Sequence, residues 1–253
     1  MHLLMQPDWQ HTEDFFSGVA AVIDQEKCIK CGKCRDICRF KAIPVVDNCY
    51  IVDGLNCEGC GYCYHVCPVE AISMVEQNVG KSYISNTKAG NQMVHARLKS
   101  GADNSGKLVA KVKNEAKLIA EQNKKEFIIV DGSPGIGCPV VSSLSGADFV
   151  ILVTEPSVSG LHDLKRVHEL VKKFKISAGC IINKADINKQ VSEEIKVFLE
   201  SENIIQLADL PYDEAFTKAM TEGKTIVECG ETPLKKKLVE TWEKTKEFVL
   251  NKK

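Results

Sequence analysis

The chain of 253 residues has no apolar run near the roughly eighteen residues that a membrane-spanning helix needs. Its opening, MHLLMQPDWQ, has no basic stretch of the kind that begins an export signal. These absences predict a soluble protein of a reducing, cytoplasmic compartment. Excess charge is also missing: 33 Lys and Arg stand against 34 Asp and Glu, a net of −1. With no basic stripe interleaved with aromatics, nucleic acid is not an expected partner. The six histidines lack ligand spacing. His162 and His168 lie six apart in a helical pattern, on different faces, and read as surface or capping residues. Nothing in a composition 44% hydrophobic suggests disorder, and the length predicts one substantial core with a small satellite module.

Cysteine is abundant and concentrated. Nine of the twelve fall between Cys28 and Cys67, and eight of these repeat the run C-x-x-C-x-x-C-x-x-x-C. That run marks a two-cluster iron–sulfur module in which the fourth cysteine of each motif serves the other cube. The expected ligand sets are therefore Cys28, Cys31, Cys34 and Cys67 for one [4Fe-4S] cluster, and Cys57, Cys60, Cys63 and Cys38 for a second. The flanking sequences superimpose as an internal repeat, each ending in an x-A-I triplet at Ile43 and Ile72, which predicts pseudo-twofold packing. Gly32, Gly59 and Gly61 stand between ligands, where a tightly wrapped chain benefits from positive φ. The second motif ends Cys67-Pro68 but the first ends Cys38-Arg39, so a cation should favour the reduced form of one cube. Structural zinc usually pairs two C-x-x-C knuckles without a third cysteine at this step, and disulfide frameworks belong to short exported chains. Cys49 reads as a spare buried thiol.

From Phe127 onward, short apolar runs (FIIVDG, FVILVTEP, AGCIINKAD, IIQLADLP) alternate with stretches such as LHDLKRVHELVKKF and VSEEIKVFLESEN. The runs read as buried parallel strands and the intervening stretches as crossover helices. This predicts an α/β fold, a doubly wound and mostly parallel sheet, with an inserted α+β ferredoxin-like module. Residues 81–122 link the two, and KLVAKVKNEAKLIAEQ within them reads as a helix. Asp131 ends the FIIVDG run where P-loop NTPases keep a magnesium-side acid, and Gly132 and Gly135 give the following turn room to respond to a γ-phosphate. Asn183 and Asp186 follow AGCII in a placement typical of base-reading loops. The plainer reading is that strand ends carry Asp, Asn and Gly for turns and helix caps.

The opening HLLMQPD, the cysteine block, MVHARL with NSGKLV, VDGSPGIGCPV, LVTEPSVSGLHDL, INKADIN and LPYDEAF together resemble the MinD-superfamily P-loop ATPases that carry an inserted ferredoxin domain. The resemblance spans almost the whole chain. It implies ATP and magnesium as cofactors, Asp131 as the magnesium-side acid, Asn183 near the base, and Pro211 and Asp213 close to the purine pocket. It implies three segments: 1–20 as a remnant of the ATPase domain, 21–80 as the two-cluster module, and 81–253 as the ATPase-like domain. In that family the first strand and the lysine-bearing phosphate loop precede the HLLMQPD segment. The expectation is thus an open strand edge and weak ATP binding at most, with the loop lost, mis-started or supplied by a separate chain. Gly101 to Lys107 fits G-x-x-x-x-G-K, but Leu108 stands where a Ser or Thr should hold magnesium, so the match reads as a decoy with Asn104 or Ser105 as a helix cap.

Cys138 follows Asp131 at a spacing where nitrogenase-reductase-type relatives bridge a cluster between two subunits, but it reads as a buried small hydrophobe. Cys180 reads as core, and Cys229 lies near a turn. The tail TPLKKKLVETWEKTKEFVLNKK reads as an amphipathic helix packed on its own domain rather than on a membrane. The leading functional expectation is electron transfer through two clusters, coupled to a MinD-type ATPase domain. The alternatives are a cluster carrier or assembly ATPase, and a simple ferredoxin fused to a decayed ATPase half. A redox protein and a homodimer are the expected partners.

Overall fold

The computed structural model describes residues 1–102 and 106–251, and the chain divides into two compact units. One comprises residues 9–86 and 92–108, the other residues 1–8, 87–91 and 109–253. A single turn, α1 (His2–Met5), opens the chain.

In the cysteine-bearing unit, β1 (His11–Ile23) leads into two matched loops. The first holds α2 (Lys33–Ile37), a short ribbon of β2 (Val45–Val46) and β3 (Cys49–Tyr50) follows, and the second holds α3 (Tyr62–Val66). β4 (Ile72–Asn86) then returns antiparallel along β1 from Ile23↔Ile72 to His11↔Ile84, and β5 (Gln92–Leu98) adds a third strand. The Ala-Ile pairs that close each motif are buried: Ala42 and Ile43 from the first, Ala71 and Ile72 from the second. Ile43 and Ile72 pack with Ala21, Ile23, Cys34 and Cys63 in the unit's small core. At the far end of the ribbon Trp9 sets its ring edge-on to Tyr83 at 4.8 Å and to His95 at 4.7 Å.

The other unit is α/β. Its elements are α4 (Gly106–Gln122, largely in this unit), α5 (Cys138–Leu144), β6 (Phe149–Thr154), α6 (Val158–Lys173), β7 (Ser177–Ile182), α7 (Lys189–Ser201), β8 (Ile205–Asp209), α8 (Ala215–Thr221), a 3-10 turn at Ile226–Glu228, and α9 (Pro233–Leu250). The three strands are parallel in the order β6-β7-β8. Alternate residues serve opposite faces, as strand pleating requires. Leu152, Cys180 and Ile182 pack against α6 and α7, whereas Ile181 and Ala208 join the cluster of Ala219, Ile226 and Leu234. Local chemistry starts the helices. Ser157 caps α6 by accepting from Gly160 N–H at 3.0 Å, Asn188 caps α7 through Val191 N–H at 3.1 Å, and Thr232 caps α9 through Lys235 N–H at 3.1 Å. The tail helix packs on its own unit as expected, with Trp242 against Phe127 and Phe248 against Phe149.

Three expectations need correction. FIIVDG does not form a strand: Phe127–Val130 lies outside every ladder, with Ile128, Ile129 and Val130 exposed, Ile129 by 75%. A strand exists only through its neighbour's hydrogen bonds, and this run has none among the described residues. Correspondingly β6 is an open edge, and Ile151 and Val153 are exposed upon it. His168 is not a surface residue. It is 5% exposed, lies edge-on to Phe198, and its Nδ1 has no hydrogen-bond partner among the described residues. Cys138 is exposed rather than buried. Cys180 is core, and burial pushes its thiol up to about 12. Leu108 is buried within α4, consistent with a decoy phosphate loop; the cap assigned to Asn104 or Ser105 lies outside the described residues.

Burial holds the His168 imidazole below its ordinary pKa; Glu202 opposes this, Lys172 reinforces it, and Glu169 opposes it again. The folded state therefore resists a proton that the unfolded chain accepts below about pH 6.5. Stability should be full above that value and fall as pH drops toward the lower folded pKa. Denaturant midpoints measured at about pH 7.5 and about pH 5.5 should differ for the wild type, and His168→Met should shrink that difference.

Candidate metal centre

The two cysteine loops adopt one geometry twice. Gly32 and Gly61 precede α2 and α3 at φ 81° and 77°, and Cys38 and Cys67 follow those helices in extended conformation. Ala42 N–H donates to Cys38 Sγ at 3.4 Å, and its repeat counterpart Ala71 N–H donates to Cys67 Sγ at 3.2 Å. Such donors stabilise thiolate sulfur and tune a bound cluster's potential.

Two cavities result. Cys28, Cys31, Cys34 and Cys67 line one of about 320 Å³, and Cys38, Cys57, Cys60 and Cys63 line another of about 360 Å³, open mouths included. Each thus gathers three sulfurs of one motif with the fourth of the other. All twelve cysteines are free thiols. Nearly equal cavities with apolar walls, Ala21 and Met74 in one and Ile23 and Ile72 in the other, suit two copies of one larger guest. Burial pushes the Cys34 thiol up; the Arg35 N–H offsets this and charge on Cys28 and Cys31 adds to it. Cys63 is raised by the same causes, with Tyr64 N–H opposing and Cys57 and Cys60 adding. Thiolates crowded into a dry cavity need positive charge among them, and cluster iron supplies it.

Sequence reasoning missed one backbone position. Lys30 sits at φ 60° where its repeat counterpart Gly59 has φ 63°. A Cβ on Gly59 would strike the Val19 carbonyl oxygen, so glycine is required there by space as well as by φ. Only a backbone-level comparison of the two C-x-x-C turns discloses that Lys30 carries the same conformation without that crowding.

The expected nucleotide residues separate into two groups. Asn183, Asp186, Pro211 and Asp213 come together beyond the ends of β7 and β8, where Ala185 N–H donates to Leu210 O at 2.8 Å and Tyr212 N–H to Asp186 Oδ1 at 2.6 Å. Asn183 is held by its own N–H on Thr154 O at 2.7 Å. Asp213 accepts from Ala215 N–H at 2.8 Å, a turn role, while Lys184 pairs with Glu155 at 2.9 Å. Asp131, Gly132 and Gly135 stand in the exposed, unladdered segment, and the Asp131 carboxylate takes no hydrogen bond or ion pair among the described residues.

Residues 21–74 match the 4Fe-4S dicluster domain family. An uncharacterized protein of Methanocaldococcus jannaschii is 32% identical over 224 residues, covering 88% of this chain and 74% of the relative. A second uncharacterized protein of that organism is 27% identical over 157 residues, covering 62% of this chain and 52% of its own length. The MinD cell division protein of Aquifex aeolicus superimposes with a TM-score of 0.50 at 18% identity, covering 65% of this chain and 69% of that one, a likeness of fold.

Gly59→Ala should lower stability by at least the about 1–2 kcal/mol of a left-handed non-glycine residue and reduce cluster occupancy. Lys30→Gly should be neutral or stabilising by up to about 1 kcal/mol. Thermal unfolding of the holoprotein with iron analysis checks both.

Proposed function

We propose, from the premise that this chain belongs to the MinD-superfamily ATPases that carry a 4Fe-4S dicluster module, that it is an electron-transfer protein holding two [4Fe-4S] clusters. The crossed cavities carry this reading. Cys28, Cys31, Cys34 and Cys67 would hold one cube and Cys57, Cys60, Cys63 and Cys38 the other, each supplying one-electron chemistry when bound. The chain's own contribution is to donate N–H groups to Cys38 and Cys67 sulfur, to wall each cavity with apolar side chains, and to leave Cys31 and Cys60 exposed where an electron partner can approach. Four protein sulfurs per cube favour a resident electron carrier over a delivered cluster.

The crossing has a quantitative consequence. Cys28→Ala with Cys67→Ala removes two ligands from one cube and should leave about four irons per chain; Cys28→Ala with Cys38→Ala damages both cubes and should leave few. Anaerobic iron analysis and low-temperature electron paramagnetic resonance of the reduced proteins distinguish the pairs. Equal iron loss in the two double variants contradicts the crossed assignment.

The nucleotide half of the reading is that Asn183, Asp186, Pro211 and Asp213 form the base side of an ATP site and Asp131 its magnesium side. The edge of β6, free among the described residues, and the unladdered Phe127–Val130 run support a site completed by a strand and phosphate loop laid against this sheet. ATP turnover would then bias docking or potential at the clusters. Calorimetric titration of the 253-residue chain with Mg-ATP should give no saturable binding tighter than about 1 mM. Micromolar binding, lost in Asp131→Ala, contradicts the need for an added phosphate loop.

A further inference from the structure

The two cluster loops repeat in backbone but not in charge. From Asp24 to Lys41 the first carries six cations, Lys27, Lys30, Lys33, Arg35, Arg39 and Lys41, against three carboxylates, a net of +3. The equivalent span from Asp53 to Glu70 carries Asp53, Glu58 and Glu70 with no Lys or Arg, a net of −3. All six cations are exposed, and only Lys27 has an ion pair among the described residues, with Asp24 at 3.8 Å. The other five surround the exposed ligand Cys31 in sequence and hold their charge toward solvent. Exposed apolar side chains do not distinguish the loops: the first exposes Ile29 and Phe40, the second Leu55 and Tyr62.

Lys30 strengthens the contrast. It occupies a left-handed conformation that glycine fills in the other loop, so a charged side chain is kept at a position where the backbone disfavours any side chain. A chain with net charge −1 that concentrates exposed cations on one loop has an electrostatic pole there.

We infer that the Cys28–Lys41 loop is the docking surface for a small acidic one-electron carrier protein. The inference rests on the electron-transfer reading above. The step at the interface would move one electron: a reduced cluster held by these cysteines would be oxidised by one electron and the carrier's flavin or iron–sulfur centre reduced by one. Cation-rich docking accelerates encounter with an acidic protein and fails when salt screens it.

The experiment uses anaerobic holoprotein reduced with dithionite, mixed in a stopped-flow instrument with an acidic [2Fe-2S] ferredoxin or with a cationic haem protein. Second-order rates to the ferredoxin should fall about tenfold between about 0.01 M and about 0.15 M ionic strength, while rates to the cationic carrier should not. Lys30→Glu with Lys33→Glu should lower the low-salt ferredoxin rate about tenfold at unchanged iron content, and Arg39→Glu with Lys41→Glu should act likewise. Lys173→Glu with Lys236→Glu, the same charge change placed elsewhere, should have little effect. Rates to ferredoxin indifferent to salt and to both loop variants, with clusters loaded and reduced, overturn the docking surface and leave the electron-transfer reading standing. No electron transfer to either carrier overturns both. Retardation of duplex DNA by the wild type, lost in the loop variants with carrier rates unchanged, reassigns the surface to nucleic acid and overturns the inference.

Discussion

The organisation of the cysteine-bearing unit depends on one exchange: each loop surrenders its last sulfur to the cavity of the other. A loop of seven residues can turn three thiols inward, but the fourth must come from a chain segment approaching from outside. Cys38 and Cys67 make that approach at the ends of α2 and α3, and the buried Ala-Ile pairs that follow them pin the crossing to β1 and β4. The two halves are therefore interdependent, since loosening either loop removes a sulfur from the other's site.

This exchange explains how so small a core persists. Few residues of the unit are fully buried, and Ile29, Ile51, Leu55 and Tyr62 lie exposed around it. Small units generally need a staple beyond hydrophobic burial. Here eight cysteines line two cavities, and burial pushes the Cys34 and Cys63 thiols up. Iron–sulfur clusters bound there would link the two loops covalently.

The sequence made the cysteine unit more legible than the α/β unit, for physical reasons. Ligand spacing constrains short loops directly, so the cavity groupings and the positive φ of Gly32, Gly59 and Gly61 followed from local pattern. The long β1–β4 ribbon did not, because its pairing joins segments about sixty residues apart in sequence and neither strand alternates cleanly. In the α/β unit, FVILVT, SAGCII and IQLAD became parallel strands while the equally apolar FIIV did not. Composition is the same; what differs is the presence of a neighbour to pair with. His168 escaped notice because helix spacing alone does not reveal that Phe198 and the α6–α7 seam enclose it.

The nucleotide residues show the same limit. Asp186 and Asp213 have turn duties that the structure accounts for without any ligand, while the Asp131 carboxylate has none. The cysteine unit carries the account, and its central claim is that the two cavities hold iron–sulfur cubes. Iron, acid-labile sulfide and zinc analysis of anaerobically isolated protein tests that most directly. The account predicts about eight irons and about eight sulfides per chain with no stoichiometric zinc; a colourless, sulfide-free protein bearing zinc contradicts it.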